Sequence, residues 1–190
     1  MLRPYMNGNL YMAYNPAIHH RRSLRIPGYD YSQNGAYFIT VCTHNHKCIF
    51  GNIIDGEMKL NGFGEIIQTE WEKTVNIRAE IKLGEYVIMP NHFHAIVFIT
   101  TESCRGVRPD APTIRIMGPK PKSIGALMAG FKSSVTNQIN KIRNTPKSPV
   151  WQRNYWEHII RDEKSFDEIS TYIINNPGKW QFDKLFQSDP

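Results

Sequence analysis

Two histidines flank a single phenylalanine at His92-Phe93-His94 and run straight into Ala-Ile-Val-Phe-Ile. A β-branched and aromatic run of this kind reads as a buried strand. Side chains alternate across a strand, so His92 and His94 share a face with Ile96 and Phe98, and Phe93, Ala95, Val97 and Ile99 face the other way. Two imidazoles about 6–7 Å apart along a rigid strand can converge on one divalent ion. The same pair can instead simply cap a core strand through hydrogen bonds, so any chemistry needs further groups.

Tyr172 and Asn176 near the C-terminus supply them. At about 3.6 residues per turn they lie roughly 40° apart on a helix, at the edge of an apolar stripe of Phe166, Ile169 and Ile173. A tyrosine hydroxyl can attack a phosphodiester and hold the product as a covalent ester. With an ordinary pKa of about 10, it needs help in forming phenolate or in absorbing charge on the phosphate. A divalent ion does the second as a Lewis acid, and the Asn176 amide oxygen would add a hard ligand to the imidazoles. Alone, a tyrosine on a helix edge is a packing residue; the combination carries the argument.

The elements that must position these groups can be read along the chain. Residues 36–43 (Ala-Tyr-Phe-Ile-Thr-Val-Cys-Thr) form a first strand. Residues 48–60 form a small hairpin whose Asp55-Gly56 suits a tight turn with positive φ angles. From Asn61, a helical stripe of Phe63, Ile66, Ile67, Trp71 and Val75 is core in character. A strand over 81–89 pairs with the His-x-His strand through Pro90-Asn91, which places the histidines beside a turn at a strand end. Ser123 caps a long helix with Ile124, Leu127, Met128, Phe131, Val135, Ile139 and Ile142 on its apolar face. Residues 150–161 read as a fourth strand, in which Trp151, Arg153 and Tyr155 alternate with Gln152, Asn154 and Trp156. The final helix spans 162–176, with Ser165 and Glu168 as a capping box and Pro177 closing it.

The chain has 190 residues, with 23 lysines and arginines against 17 acidic residues, for a net charge of +6. That length suits one domain with a full core, and a basic, aromatic-rich chain suits a polyanionic partner, nucleic acid ahead of membrane. No apolar run approaches the ~20 residues of a membrane span, and no signal peptide is evident, so a cytoplasmic protein is expected. Three cysteines fit a reducing compartment. Cys42-x-His44-x-His46-x-Cys48 invites a zinc reading, but an extended chain would put the outer cysteines roughly 20 Å apart, too far for tetrahedral zinc without a sharp fold at Asn45. Residues 1–34 read as an arm with a basic cluster of Arg21, Arg22 and Arg25, which suits phosphate contact as well as solvation. The loop over 101–122 is basic and rich in proline and glycine. Lys132 lies on the outer side of the long helix. Trp151, Arg153, Tyr155 and Arg161 combine rings and charges in a way that suits base stacking and phosphate contact, or else a half-buried strand edge.

Three segments, taken together, resemble a known family: Pro90-Asn91-His92-Phe93-His94, then Trp151-Gln-Arg-Asn-Tyr-Trp-Glu-His158-Ile-Ile-Arg161, then Tyr172-Ile-Ile-Asn-Asn176-Pro177. They resemble the single-tyrosine HUH transposases, most nearly the REP-associated tyrosine transposase branch. Arg21-Arg-Ser-Leu-Arg-Ile-Pro-Gly-Tyr-Asp-Tyr through Ile39-Thr-Val-Cys-Thr looks like that branch too.

The resemblance implies an α+β, ferredoxin-like βαββαβ antiparallel sheet with helices on one face and an added tyrosine-bearing helix. It implies an N-terminal arm (1–34), a catalytic domain (35–182) and a tail (183–190) that is either loose or a flap over the site. His92, His94 and Asn176 would bind Mg²⁺ or Mn²⁺, and Tyr172 would be the nucleophile. Glu157, His158 and Arg161 belong to the motif without an assigned role. The expected reaction is cleavage and rejoining of single-stranded DNA at hairpin-forming palindromic repeats through a 5′-phosphotyrosine, by a monomer acting in cis. Two other readings remain open: a non-catalytic single-strand-binding module on the same sheet, and a metal-dependent nuclease that uses water.

Overall fold

The computed structural model describes residues 29–100 and 119–186. In chain order it holds β1 (Gly35–Cys42), a 3₁₀ turn (His44–His46), β2 (Gly51–Ile54), β3 (Glu57–Leu60), α1 (Gly62–Glu72) and the short α2 (Thr74–Ile77). These are followed by β4 (Ile81–Ile88), β5 (His92–Ile99), α3 (Ile124–Arg143), β6 (Trp156–Ile160), α4 (Glu163–Asn175) and a 3₁₀ segment (Pro177–Phe182). Four strands form one sheet in the order β4-β5-β1-β6, each pair antiparallel, and β2 and β3 form a separate hairpin. At its tip, Asp55 and Gly56 both take positive φ (53° and 77°), the conformation a tight hairpin turn demands.

Both faces of the four-stranded sheet are covered. Tyr37, Ile39 and Val41 of β1, with Phe93, Ala95, Val97 and Ile99 of β5, pack against Ile67 and Trp71 of α1 and the apolar face of α3. Phe38, Ile96 and Ile160 face the other way and pack on Ile173, with Phe166 and Ile169 beside them. That is why β5 reads as a continuous apolar run rather than an alternating one: a central strand covered twice has no solvent side. The histidines lie on the α4 face.

The observed helices differ in three respects from the sequence pattern. The helix begun at Asn61 breaks at Lys73, so Val75 is exposed on α2, and Ile142 lies in the last, overhanging turn of α3. Ser123 caps α3 as expected, accepting from the Ala126 N–H. The cap of α4 is Asp162, whose Oδ1 accepts from the Ser165 N–H at 2.8 Å. Ser165 is therefore inside the first turn and forms no capping box, because an aspartate three residues earlier already satisfies the free N–H.

The fourth strand also starts later than its alternation suggests, at Trp156 rather than Val150. Thr40 pairs with Trp156, and a regular ladder would next bring Thr43 opposite Arg153, but Thr43 bridges to Trp151 instead. Two additional residues loop out between the pairings, an even number, so Trp151 keeps the face that alternation gives it, the one Tyr155 and Ile159 share. That face is the core: Trp151 is 6% exposed, with its ring 5.1 Å from Phe50 and 6.1 Å from Phe131. Its ring is not presented to a nucleobase. Trp151→Ala is expected to cost about 3–5 kcal/mol of unfolding free energy in urea titrations, the range for a deleted core aromatic. A surface stacking residue would change stability by no more than about 0.5 kcal/mol.

Candidate active site

His92 and His94 sit at the start of β5, opposite Cys42 and Thr40 of β1, and are 0% and 3% exposed. Their ring centroids are 4.5 Å apart. Asn91 is fully buried, and its amide N–H groups donate to the carbonyls of His46 (3.2 Å) and Leu185 (2.8 Å). This orientation aims Asn91 Oδ1 at Nδ1 of His92, 2.8 Å away, so that Nδ1 carries the proton. The lone pair on His92 Nε2 is then buried with no hydrogen-bond partner. His94 Nδ1 lies 2.7 Å from the Thr40 hydroxyl, and its Nε2 lies 3.2 Å from the hydroxyl of Tyr172.

Burial pushes the pKa of His92 down to about 4 and that of His94 down to about 3, with the neighbouring His92 adding to the second shift. Both rings are therefore neutral at pH 7, the form in which imidazole binds a metal.

Tyr172 and Asn176 come from the C-terminal end of α4, which lies against β4 and β5. The tyrosine is half exposed, its ring 5.3 Å from His94 and 6.2 Å from Phe38. Burial of its hydroxyl, then the charge of Asp183, pushes the phenol up to about 12. Asn176 is 2% exposed, its amide donates to Asp183 Oδ2 at 2.9 Å, and its Oδ1 is buried without a partner.

Asp183 is the residue that motif reading missed. After Pro177 the chain makes a 3₁₀ segment that buries Trp180 against His92, with ring centroids 5.8 Å apart, and this brings Asp183 back over the site. Oδ2 lies 3.3 Å from the Tyr172 hydroxyl. Burial acts to raise the pKa of this carboxyl, but the Leu185 N–H and the Asn176 amide outweigh it, so the net shift is downward. Among the described residues, His92, His94 and Asp183 are the one group of three or more His, Cys, Asp or Glu placed to hold a metal ion, their ligand atoms lying within 4.8 Å of one another.

The donor set suits a hard divalent cation. Two neutral imidazoles and a carboxylate converge, and near them two buried atoms left unpaired, His92 Nε2 and Asn176 Oδ1, are both electron-pair donors.

The remaining candidates lie elsewhere. Arg21, Arg22 and Arg25 fall outside the described residues. Lys132 is bound by its ammonium to the carbonyls of Gln152 (2.6 Å) and Arg153 (3.1 Å). Tyr155 is half-buried against the core, and Arg153 and Arg161 are exposed. Asn175 is exposed and donates to the Thr171 carbonyl within its own helix. The chain does fold sharply at Asn45 (φ 56°), yet Cys42, His44, His46 and Cys48 form no metal-binding group, and burial pushes the Cys42 thiol up to about 11.

The histidine shifts set a pH dependence. Both folded pKa values lie below the unfolded value of about 6.5, so the unfolded chain binds more protons between them. Stability is complete above about pH 6.5 and falls as pH drops towards 4. With a chelator present, the urea midpoint is expected to decline between pH 6.5 and 4.5, above the range of the shifted carboxylates. The decline should be shallower in His92→Asn/His94→Gln.

No family model matches the chain. It is 42% identical over 178 residues, 91% of its own length and 97% of the relative's, to an uncharacterized protein of Haemophilus influenzae. It is 25% identical over 162 residues, 85% of this chain and 80% of the relative, to a putative REP-associated tyrosine transposase of the same organism. Its fold matches the structure of a REP-associated tyrosine transposase bound to a REP hairpin, with a TM-score of 0.57, 18% identity and coverage of 86% of this chain and 77% of that one. The chain thus belongs to one family with the first Haemophilus influenzae protein, and in both sequence and fold it resembles the REP-associated tyrosine transposases.

Proposed function

We propose that this protein cleaves and rejoins single-stranded DNA at hairpin-forming, palindromic elements, with Tyr172 as nucleophile and a divalent ion, Mg²⁺ or Mn²⁺, held by His92, His94 and Asn176. Similarity to the REP-associated tyrosine transposases supports a transposase-like function, and hairpin DNA is what the structurally similar protein binds. One observation carries the finer reading. The Tyr172 hydroxyl lies 3.2 Å from His94 Nε2, in a site where His92 Nε2 and Asn176 Oδ1 have no protein partner. A binding module has no use for that convergence. Asp183 is either a further ligand or the acceptor of the phenol proton.

In this reading the sheet order, with α1 and α3 on one face, is a ferredoxin-like βαββαβ fold to which α4 is added on the other. Residues 35–182 are the catalytic domain, residues 1–34 a DNA-contacting arm with Arg21, Arg22 and Arg25, and the tail from 183 onward begins inside the site. Tyr172 reaches His94 of its own chain, which supports a monomer with a cis site. No helix of the described residues is long and apolar enough to cross a membrane, and a DNA substrate goes with a cytoplasmic protein.

The chemistry follows from the positions. The phenol is protonated at neutral pH, so Oη must lose its proton as it attacks phosphorus; Asp183 Oδ2, 3.3 Å away, is placed to take it. The new bond joins Oη to phosphorus, the bond to the 3′-oxygen breaks, and that oxygen leaves as a 3′-hydroxyl by taking a proton from solvent, so that one proton is lost from the phenol and one is gained by the leaving group. The ester retains the phosphodiester's energy, so the 3′-hydroxyl of another strand can reverse the step. A divalent ion at the site would draw charge from the scissile phosphate and orient it. His94 and Phe38, adjacent to each other on the sheet, both pack against the phenol ring.

Incubation of hairpin-bearing single-stranded DNA with Mn²⁺ is expected to give a covalent protein–DNA adduct on denaturing gels. Tyr172→Phe should abolish it, a loss of at least about 10³-fold. Cleavage that persists in that variant would indicate a water nucleophile, and binding without cleavage would indicate the module. Mn²⁺ should also quench tryptophan fluorescence, because Trp180 packs on His92, and His92→Ala should weaken that titration at least about tenfold.

A further inference from the structure

A cleft of about 790 Å³ opens on the α3 side of the sheet, between the helix and the segment 146–153. Lys132, Lys141, Lys147 and Arg153 line it, and no carboxylate does. Asparagines, serines and a threonine fill the spaces between the cations. Among the described residues none of the four cations enters an ion pair, although surface charges elsewhere do, such as Lys73 with Glu70 and Lys120 with Asp30. Asn140 and Trp151, which also line the cleft, each bury a polar side-chain atom, Oδ1 and Nε1, that has no partner.

We propose that this cleft is a second DNA-contact site, which grips the sugar–phosphate backbone of the strand leading to Tyr172. The proposal rests on the reading of the protein as a DNA strand transferase and names a substrate contact away from the reacting atoms.

The geometry fits that role in length and in position. From Lys132 to Asn144 the helix runs about 18 Å at 1.5 Å per residue. That matches the axial rise of about five phosphates on one strand of a duplex lying parallel to the helix. A chain of hydrogen bonds connects one rim of the cleft to the site. The Gln152 amide lies 2.7 Å from Nε2 of His46, the carbonyl of His46 accepts from Asn91, and Asn91 holds His92. A strand leaving the tyrosine around the end of the sheet therefore meets the cleft next. Burial pushes the Lys132 ammonium down to about 8, as expected for a largely desolvated cation lacking an anion. The backbone of a duplex stem and that of a single strand offer the same chemistry, and the test separates them.

DNA binding is measured in a Tyr172→Phe background with a chelator, so that cleavage plays no part. The triple variant Lys141→Gln/Lys147→Gln/Arg153→Gln removes three exposed cations and leaves Lys132, which braces the loop, in place. Dissociation constants for a hairpin stem and for an unstructured single strand are taken across salt concentrations. The triple variant is expected to bind one of these DNAs at least about tenfold more weakly near 0.1 M salt, with a slope of log K against log salt shallower by about 2–3. The DNA that responds identifies the occupant. Should the triple variant fail to fold, each single change is expected to lower the slope by about one. Lys59→Gln/Lys82→Gln/Lys164→Gln, the same charge change elsewhere, should leave the slope as it was.

Equal slopes in parent and cleft variant overturn the proposal, as does an equal loss in the control, which would mean that net charge alone was being read. An RNA strand that responds when neither DNA does overturns it too. A parent that binds no DNA removes the catalytic reading with it. Cleft-dependent binding in a protein that forms no tyrosine adduct overturns the catalytic reading and sustains this one.

Discussion

Two imidazoles are buried side by side on a strand covered on both faces, and much of the surrounding structure answers that constraint. A buried polar group without a partner is costly, so each ring needs its nitrogens accounted for. Asn91 and Thr40 take the two Nδ1 atoms. Asn91 is itself fixed by carbonyls from two distant segments, His46 and Leu185, so the turn before β5, the 3₁₀ turn after β1 and the C-terminal segment are tied to the orientation of one ring. What remains is two Nε2 atoms facing the same side, one on Tyr172 and one with nothing. Burial disfavours the protonated ring and so keeps these histidines neutral, which is the condition a metal ligand requires.

The covering helix gains its place from the same arrangement. Ile173 packs on Phe38, Ile96 and Ile160, and one residue back along the helix Tyr172 falls at the margin of that contact, half exposed. A fully buried phenol would be unreachable by a polymer, and a fully exposed one would have no fixed relation to His94. Beyond the helix, Trp180 is the anchor that returns the chain: its burial on the His92 ring decides where Asp183 arrives. Phe186 packs on Trp180 in turn, at 5.2 Å between centroids.

How much of this is legible in the sequence depends on range. The strands and long helices follow from β-branched runs and apolar stripes, which are local signals, and the shared face of His92 and His94 follows from strand alternation. Tyr172 and Asn176 stand out because one helical turn separates them. Trp151 alternates in step with Tyr155 and Ile159, but which face of that segment is covered depends on helices from elsewhere in the chain, and residue type alone does not tell it. Ser165 looks like a cap for the same reason that Asp162 is one: both can accept a backbone N–H, and only the backbone path chooses between them. Asp183 carries no local signal. It lies in Gln-Phe-Asp-Lys, an unremarkable polar stretch, and its role comes from a turn fixed by a tryptophan meeting a histidine some ninety residues away in sequence.

The division of charge between the two faces follows from the site's own electrostatics. Within hydrogen-bond reach of the Tyr172 hydroxyl, the described partners are a neutral imidazole and the Asp183 carboxylate. In the proposed reading such a site would repel a phosphodiester until a divalent ion entered, so recruitment of the polymer would fall to charge placed elsewhere, for which the net charge of +6 is suited. The cleft beside α3 is lined by cations and no carboxylate, and Arg153 stands on the looped-out segment that leads into β6. The irregularity before β6 thus places a cation at the rim of the cleft. If the cleft holds a strand's backbone, a chain of phosphates long enough to occupy it would be kept at the site where a single phosphate would not, and the proposed chemistry would favour polymeric substrates.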